Sequence, residues 1–480
     1  MLGKPPGPTA TASWMNRRVL VLATTTGYQT RAFGEAAEQL GVELVFATDR
    51  CHLIDDPWQD GAVAIRFYDE DASVDAIVAA AAHRPIDGIV VVGDRPTVIA
   101  ARAARALGIP WHLPEAAAIA TNKLRTREHL RDAGLPVPFF FPTAISDRQS
   151  AISRGFGYPC VVKPVALSGS RGVMRADNER ELAAAIERLR ALMQSPDVRA
   201  ERNDAHDTAL IEAFIPGREY AVEALMHEGT LRVLAIFDKP DPLDGPFFEE
   251  TIYVTPSSAP DGEQRAIEET IARAAAAIGL RHGPIHAECR VNPDGVFVLE
   301  VAPRPIGGLC ARALRFAQSH VASRESQVRR GSQVSNEQVD PQTILNKSAL
   351  STQHSAIAFE QLLLRHALGE DVLGWRRESG SSGVMMIPIP RRGVYRGVEG
   401  VDAARAVPGV DDVRITAKTD QLLIPLPEGA SYLGFIFARG GSAGEVERAL
   451  RAAHARLQFT IAPEFPVLSG ASINYNQQHG

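Results

Sequence analysis

The sequence predicts a multidomain protein of the α/β and α+β classes. Its 480 residues exceed what a single hydrophobic core usually supports. Short runs rich in Val and Leu alternate with helical segments near the N-terminus, which is the pattern of a wound parallel sheet. After residue 122 the sequence contains hairpin signals and more sequence motifs than the first domain. We therefore expect a Rossmann-like first domain, a larger mixed body and a small C-terminal α+β module.

The first domain is expected to serve as a scaffold with a substrate edge. Residues 18–23 and 88–93 are apolar runs that predict buried parallel strands, with helices to about residue 40 and over 96–107. Neither strand is followed by a GxGxxG or P-loop spacing. We therefore expect any nucleotide-binding site to lie elsewhere in the chain.

Changes of composition divide the rest of the chain. Residues 317–355 are rich in Ser, Gln, Asn and Arg without apolar periodicity, which predicts a polar loop or insertion. The expected boundaries are a flexible tail at 1–16, the N-terminal domain at 17–115, a motif-rich domain at 116–316 with a lid at about 145–212 and a metal-binding catalytic lobe at about 213–316, the insertion at 317–355, the C-terminal module at 356–470 and a flexible tail at 471–480.

The C-terminal module is expected to begin with a helix over 357–368, whose apolar residues have helical spacing. Strands are predicted over 384–390, 422–427 and 432–439, and a last helix over 444–457.

Composition argues against several classes of protein. Fifty-one Lys and Arg against 57 Asp and Glu give a net charge of −6, which disfavours nucleic acid as a partner. No apolar run reaches the length of a membrane span. The four cysteines form no CxxC pair, so they predict neither a zinc site nor a disulfide framework. We expect a cytoplasmic protein that acts on small molecules, with a homodimer as the commonest assembly.

Two lysines and a glycine-rich turn predict a phosphate site. Lys123 opens a helix, and Lys163 lies inside an apolar strand, where a lysine is costly unless an anion pairs with it. The following turn, Leu-Ser-Gly-Ser-Arg-Gly at 167–172, lets backbone N–H groups approach phosphate oxygens. The alternative for Lys163 is a salt bridge to an acidic neighbour.

A β-hairpin predicts a metal site. Strands over 285–291 and 296–301 flank the turn Asn-Pro-Asp-Gly, and this places Glu288 and Glu300 nearly opposite each other. Two carboxylates in apolar strands are costly to bury unless a divalent cation lies between them, and Mg²⁺ suits such ligands. The alternative is a solvent-exposed strand face whose glutamates bind no metal.

Further residues are placed near this pair by strand alternation. Arg304 is expected on the face of Glu300, where its guanidinium would neutralise a transferring phosphoryl group. Gly307 and Gly308 would let backbone approach a substrate. His286 faces the same way as Glu288 and is expected either to hydrogen-bond to substrate or an acid, or to be a satisfied structural histidine.

The order of these motifs resembles the ATP-grasp superfamily, and within it the L-amino acid ligase and carnosine synthase type of carboxylate–amine ligase. The motifs are NK, VVKP, the Gly-Ser loop, IEAFIPGREY, HAE and LEVAPRPIGG. The resemblance covers about 17–468 and includes a module similar to the second C-terminal domain of L-amino acid ligases. It implies the ATP-grasp fold and ATP with Mg²⁺ (or Mn²⁺) as cofactors.

The resemblance also implies a role for each residue. Lys163 and Arg304 would be catalytic, and His286, Arg304, Gly307 and Gly308 would contact substrate. The cofactor-binding residues would be Lys123 and Lys163 at the phosphates, Ser168, Gly169, Ser170 and Gly172 in the covering loop, Glu212, Ala213 and Ile215 at the adenine, Glu219 at the ribose, and Glu288 and Glu300 at the metal. The sequence departs from the family at Ala302, where many ATP-grasp enzymes have Asn, so we expect a second Mg²⁺ to be bound either more loosely or through water and Glu300 alone.

The implied activity is ATP-dependent ligation of a carboxylate and an amine, with amino acids as the expected substrates. An acyl phosphate would form, and ADP and phosphate would be released. One alternative is an ATP-grasp carboxylase or purine-pathway-like ligase, which would depend on bicarbonate or a phosphorylated substrate. The other is a non-catalytic ATP-binding regulatory protein.

Overall fold

The structure is a computed structural model that describes residues 16–24, 28–49, 61–147, 157–318 and 356–464. The expected tails at 1–16 and 471–480 and the expected insertion at 317–355 lie almost entirely outside the described residues. Within the described ranges, no helix is both long and apolar enough to cross a membrane.

The N-terminal sheet has four parallel strands in the order β3-β2-β1-β4. Val19 and Val21 pack on one face with the first helix, whereas Leu20 and Leu22 pack on the other face with the next two. Helices on both faces explain why the strands are apolar without alternation, as predicted. The elements are β1 (Arg18–Ala23), α1 (Tyr28–Leu40), β2 (Glu43–Asp49), β3 (Val63–Ile65), α2 (Glu70–His83), β4 (Gly88–Val92) and α3 (Thr97–Leu107).

A second sheet carries Lys163, the lysine predicted to bind phosphate. Its antiparallel strands run in the order β5-β8-β6-β7, and a long helix covers one face with apolar side chains. Its elements and the helices beside it are α4 (Pro114–Ala120), α5 (Lys123–Asp132), β5 (Phe140–Ala144), β6 (Cys160–Pro164), β7 (Met174–Ala176), α6 (Glu179–Met193), α7 (Pro196–Arg199), a 3₁₀ turn (Asp204–Asp207) and β8 (Thr208–Ala213).

The largest sheet has eight antiparallel strands in the order β13-β12-β9-β10-β11-β17-β21-β19. Pairing between β11 and β17 joins the middle of the chain to the expected C-terminal module, so strands of that module extend the main sheet. Its elements are β9 (Arg218–His227), β10 (Thr230–Asp238), β11 (Ile252–Thr255), α8 (Asp261–Ile278), β12 (Gly283–Asn292), β13 (Gly295–Ala302), β17 (Ser381–Ile387), β19 (Val410–Ile415) and β21 (Gly434–Gly440).

Two small sheets complete the described fold, with the orders β15-β14-β16 and β20-β18-β22. The remaining elements are a 3₁₀ turn (Cys310–Ala313), β14 (Arg315–Gln318), β15 (Ile357–Ala358), α9 (Phe359–Ala367), β16 (Trp375–Arg377), β18 (Gly393–Glu399), α10 (Val401–Arg405), β20 (Leu422–Leu423), α11 (Ala443–His454) and β22 (Gln458–Ala462).

The structure corrects two predicted elements. The helix expected from 357 begins at Phe359, because Ile357–Ala358 pairs with β14 as a strand. The strand expected over 422–427 ends at Leu423, and the prolines at 425 and 427 supply no N–H donor that could extend it.

Candidate active site

A cavity of about 730 Å³ lies where the lid-like second sheet, the main sheet and the C-terminal strands meet. All of the site residues predicted from the sequence line it, except Gly172. Gly172 instead donates its backbone N–H to the Pro427 carbonyl (2.8 Å) and has a φ of +75°. A side chain there would meet Leu189 at 3.0 Å, so Gly172 shapes the loop without facing the cavity.

Lys163 is held by a buried network of charges. Its ammonium donates to the Glu212 carboxylate, which also accepts from Arg127 Nε (2.9 Å) and Nη2 (3.3 Å). Burial alone would raise the pKa of Glu212, but Arg127 and Lys163 lower it to about 2. Burial lowers the pKa of Lys163 to about 8, since Glu212 only partly offsets it. Glu212 therefore fixes the lysine, and its carboxylate is already occupied by two cations.

Lys123 lies at the start of α5, beside the glycine-rich turn. Asn122 caps this helix by accepting the Arg125 N–H (3.0 Å), which directs the lysine toward the cavity. The ammonium donates to the Leu167 carbonyl and lies 3.6 Å from Glu300 Oε2. Lys123 thus stands between the turn and the predicted metal pair.

A β-bulge sets the position of Glu288 and Glu300, the two glutamates predicted to bind the metal. The turn pairs Asn292 with Gly295, and an uninterrupted hairpin would then pair Glu288 with Leu299. The register shifts at this point, so Glu288 pairs directly with Glu300 and both side chains share one face. The predicted opposition of the two carboxylates is confirmed, and the bulge is the feature that produces it.

The structure adds Lys239 and Glu250 to the site, which the sequence analysis missed. The Lys239 ammonium donates to Glu219 (2.8 Å), Glu288 (2.9 Å) and Glu250. Burial lowers the pKa of Lys239, but these carboxylates outweigh it and hold the pKa well above its ordinary value. Burial and the neighbouring Glu288 raise the pKa of Glu250 to about 7. The carboxylates are therefore crowded around one internal cation.

Glu219, predicted at the ribose, has both carboxylate oxygens engaged. One accepts from Lys239 and the other from Arg290 Nε (2.8 Å). Phe214 and Phe248 stack nearby with ring centroids 6.4 Å apart, and the Arg290 guanidinium lies over both rings. An apolar, aromatic end of the cavity results.

Arg304 reaches the cavity from the segment after β13 and is anchored by the N-terminal domain. Its Nε and Nη2 donate to the two oxygens of Asp94 (2.7 and 3.1 Å). Burial would raise the pKa of Asp94, but Arg304, Lys123 and a hydrogen bond from Ser168 lower it. The guanidinium also lies 4.0 Å from Glu300 Oε1. Asp94 was not among the predicted residues.

His286 has a partner on each side of its ring. Nδ1 contacts the buried Glu223, whose other oxygen accepts the Ile306 N–H (3.1 Å), and Nε2 lies 3.6 Å from Glu288 Oε1. Burial lowers its pKa, but Glu223 and Glu288 raise it to about 9. The contact with Glu223 fits the prediction of a structural histidine, and the contact with Glu288 fits the prediction of an acidic partner.

The C-terminal module supplies a wall of the cavity that no local motif indicated. Met386 from β17 and the segment 416–432 line this side, with Tyr432 packed on Phe435 at 6.2 Å between ring centroids. Pairing of β17 with β11 and the hydrogen bond from the Gly172 N–H to the Pro427 carbonyl bring these residues to the site. Sequence spacing carries no signal for such a contact.

Three family models match the chain in order. They are the ATP-grasp N-terminal domain over 34–111, the ATP-grasp domain over 156–313 and the L-amino acid ligase C-terminal domain 2 over 385–462. The chain therefore contains an ATP-grasp domain preceded by an ATP-grasp N-terminal domain, in agreement with the fold and the cavity described above. Its last module is the C-terminal domain 2 of L-amino acid ligases.

Individual relatives agree with this assignment. The fold matches the crystal structure of L-amino acid ligase from Bacillus licheniformis with a TM-score of 0.70 and 24% identity, over 94% of this chain and 100% of that one. The uncharacterized protein y4rH of Sinorhizobium fredii is 23% identical over 96% of this chain and 87% of its own length. Carnosine synthase 1 of Gallus gallus is 30% identical, but the match covers 46% of this chain and 24% of that protein.

Proposed function

We propose that the protein is an ATP-dependent carboxylate–amine ligase that joins amino acid substrates through an acyl phosphate and releases ADP and phosphate. The observation that carries this proposal is a single cavity in which Lys123, Lys163 and Arg304 surround the paired Glu288 and Glu300. Cations that can hold phosphates thus stand beside carboxylates that can hold a divalent metal.

The ATP subsite extends from the lysines to the aromatic end of the cavity. Lys163, oriented by Glu212, and Lys123, oriented by the cap of α5, would hold phosphate oxygens. The turn with Gly169 and Ser170, both at positive φ, presents backbone N–H groups to the same region. Ala213 and Ile215 lie at the apolar end, where a base can stack.

The residues present fit Mg²⁺ or Mn²⁺. Glu288 and Glu300 share one face and offer hard oxygen donors, and burial together with the neighbouring Glu288 raises the pKa of Glu250 beside them. Glu288 and Glu300 would hold the metal, whose positive charge would neutralise the phosphates. Ala302 is buried and offers no ligand atom to a second metal ion. Lys239 places a positive charge beside Glu288, one of the two predicted ligands.

The proposed reaction consists of two successive displacements. The substrate carboxylate attacks the γ-phosphorus of ATP, the bond to the leaving ADP breaks, and an acyl phosphate forms. The amine then attacks the acyl carbon, loses a proton, and phosphate leaves. Arg304, fixed by Asp94, would neutralise charge on the transferring group and on the acyl phosphate. Gly307 and Gly308 line the wall where backbone can approach the substrate.

Product analysis across paired substrates tests the proposal. The full chain is incubated with Mg²⁺, ATP and a matrix of amino acid pairs, and phosphate release is followed by mass spectrometry of the products. We expect ADP and one amide per phosphate with at least one pair. Turnover that requires bicarbonate and yields no amide would overturn the ligase proposal in favour of a carboxylase. ATP binding without turnover across the matrix would indicate a regulatory protein.

A further inference from the structure

Three histidines cluster where β9 ends and β12 begins in the main sheet, outside the lining of the ATP cavity. His227 ends β9, His282 precedes β12, and His366 lies in the last turn of α9. One ring nitrogen from each lies within 4.8 Å of the other two. Because three separate segments bring these rings together, chain proximity does not account for the cluster.

The distances between the rings suit a common ion. His227 Nδ1 lies 3.4 Å from His366 Nε2. Two nitrogens bound to a tetrahedral zinc at 2.0–2.1 Å lie about 3.3 Å apart. The His282 ring stacks on that of His366 with 4.3 Å between centroids and lies 5.3 Å from that of His227, so it must turn out of this stack to direct a nitrogen at the same ion.

From this geometry we propose that His227, His282 and His366 form a second metal site, which takes Zn²⁺ or a similar transition metal. Three imidazoles favour this class of ion, whereas Mg²⁺ and Mn²⁺ favour the carboxylates of the ATP cavity. Three protein ligands leave a fourth position for water.

A neighbouring histidine fixes the segment that carries His282. His112 accepts the Arg281 N–H at Nδ1 (3.3 Å) and places Nε2 3.1 Å from the Pro284 carbonyl. Both of its nitrogens are engaged, so His112 positions the loop and is not itself a ligand. Such outer partners commonly orient the ligands of a metal site.

The metal would tie α9 to the main sheet and thereby to the N-terminal domain. A Cβ at Gly88 in β4 would lie 2.6 Å from the carbonyl of Ala367, so the end of α9 already packs tightly against that strand. Occupancy of the site would therefore stabilise the packing of α9 against the main sheet and against β4. Its presence does not depend on the ligase activity.

Zinc binding by the full chain tests this proposal. The protein is stripped with chelator and titrated with Zn²⁺ in excess Mg²⁺, which occupies the carboxylate site. We expect one equivalent of tightly bound zinc and a higher midpoint of thermal unfolding. His282→Phe and His366→Phe keep an aromatic ring but remove the ligand, and each should weaken zinc binding at least tenfold. His129→Ala, at a half-buried position of α5 away from the cluster, is the control and should bind as the wild type does.

The outcome is decided even where a variant fails to fold. X-ray absorption of the wild-type zinc complex should show at least three nitrogen ligands and no sulfur. The absence of stoichiometric zinc binding by the wild type would overturn the proposal, and so would a site with fewer imidazoles. Equal zinc affinity in the wild type and both folded phenylalanine variants would overturn it as well. None of these measurements requires ATP turnover, so they are independent of the proposed ligase reaction.

Discussion

Arg304 and Asp94 form a two-point ion pair across 210 positions of sequence, with Nε–Oδ1 and Nη2–Oδ2 distances of 2.7 and 3.1 Å. Asp94 follows β4 in the N-terminal sheet, whereas Arg304 lines the ATP cavity. The N-terminal domain therefore positions a predicted catalytic side chain. A guanidinium held at two points keeps its orientation while charge develops beside it.

Asp94→Asn tests this positioning role. The amide keeps the shape but loses a charge-assisted pair worth about 1.5–3 kcal/mol, so we expect kcat to fall about 10- to 100-fold. The affinity for Mg·ATP, measured by calorimetry, should stay near that of the wild type because Lys123 and Lys163 are intact. A variant with normal kcat and weakened ATP binding would contradict the role assigned to Asp94.

Lys163 predicts a pH dependence of ATP binding. Burial lowers its pKa to about 8, so in the free protein the ammonium loses its proton as the pH rises through 8. Bound phosphate favours the charged form, and binding above pH 8 therefore requires uptake of a proton. We expect the affinity for ATP to fall by up to about tenfold per pH unit between pH 8 and 9.

Lys163→Met supplies the comparison for this pH profile. The variant should bind ATP weakly and lose the part of the pH dependence that lies above pH 8, as measured by calorimetry. The same slope in the variant and the wild type would assign the titration to another group.

Lys239→Met tests the internal cation. Its removal leaves Glu219, Glu250 and Glu288 crowded without their shared partner, and breaking a buried pair costs about 3–5 kcal/mol. We expect a lower free energy of unfolding, partly restored by Mg²⁺, in denaturant titrations. Lys418→Met is the control, because Lys418 lines the same cavity without an ion pair among the described residues. Equal loss of stability in both variants would contradict this account.

Arg127→Leu tests the network behind Lys163. Arg127 is 1% exposed and donates to Glu212 and to the Val298 carbonyl (2.8 Å), so its loss leaves buried acceptors unpaired. We expect a destabilisation of about 3–5 kcal/mol in denaturant titrations. Arg131→Leu on the same helix removes an exposed pair with Asp132 and should cost less than about 1 kcal/mol. A small effect of Arg127→Leu would show that Lys163 alone compensates Glu212.

The spacing of residues close in sequence was sufficient to predict part of the site. The lysine inside β6, the glycine-rich turn and the hairpin with Glu288 and Glu300 each depend on residues close in sequence, and the structure brings them into one cavity. The bulge at Leu299 was not predicted, because a hairpin turn defines only the register next to it.

Long-range partners could not be predicted in the same way. Asp94 and Lys239 reach the site through the packing of sheets, and the wall at 416–432 reaches it through the pairing of β17 with β11. A clue was available for Lys239, which directly follows an apolar strand that ends in Asp238, but its three carboxylate partners lie 11 to 49 positions away. No spacing motif connects such residues.

The central claim is tested most directly by ADP and amide formation in Glu300→Gln, with Glu399→Gln as the control from an exposed position of β18. Both variants are compared with the wild type on the amino acid pair that gives the highest turnover, after circular dichroism shows that they are folded. We expect loss of ADP and amide formation in Glu300→Gln and wild-type rates in Glu399→Gln. Wild-type turnover by a folded Glu300→Gln protein would contradict it.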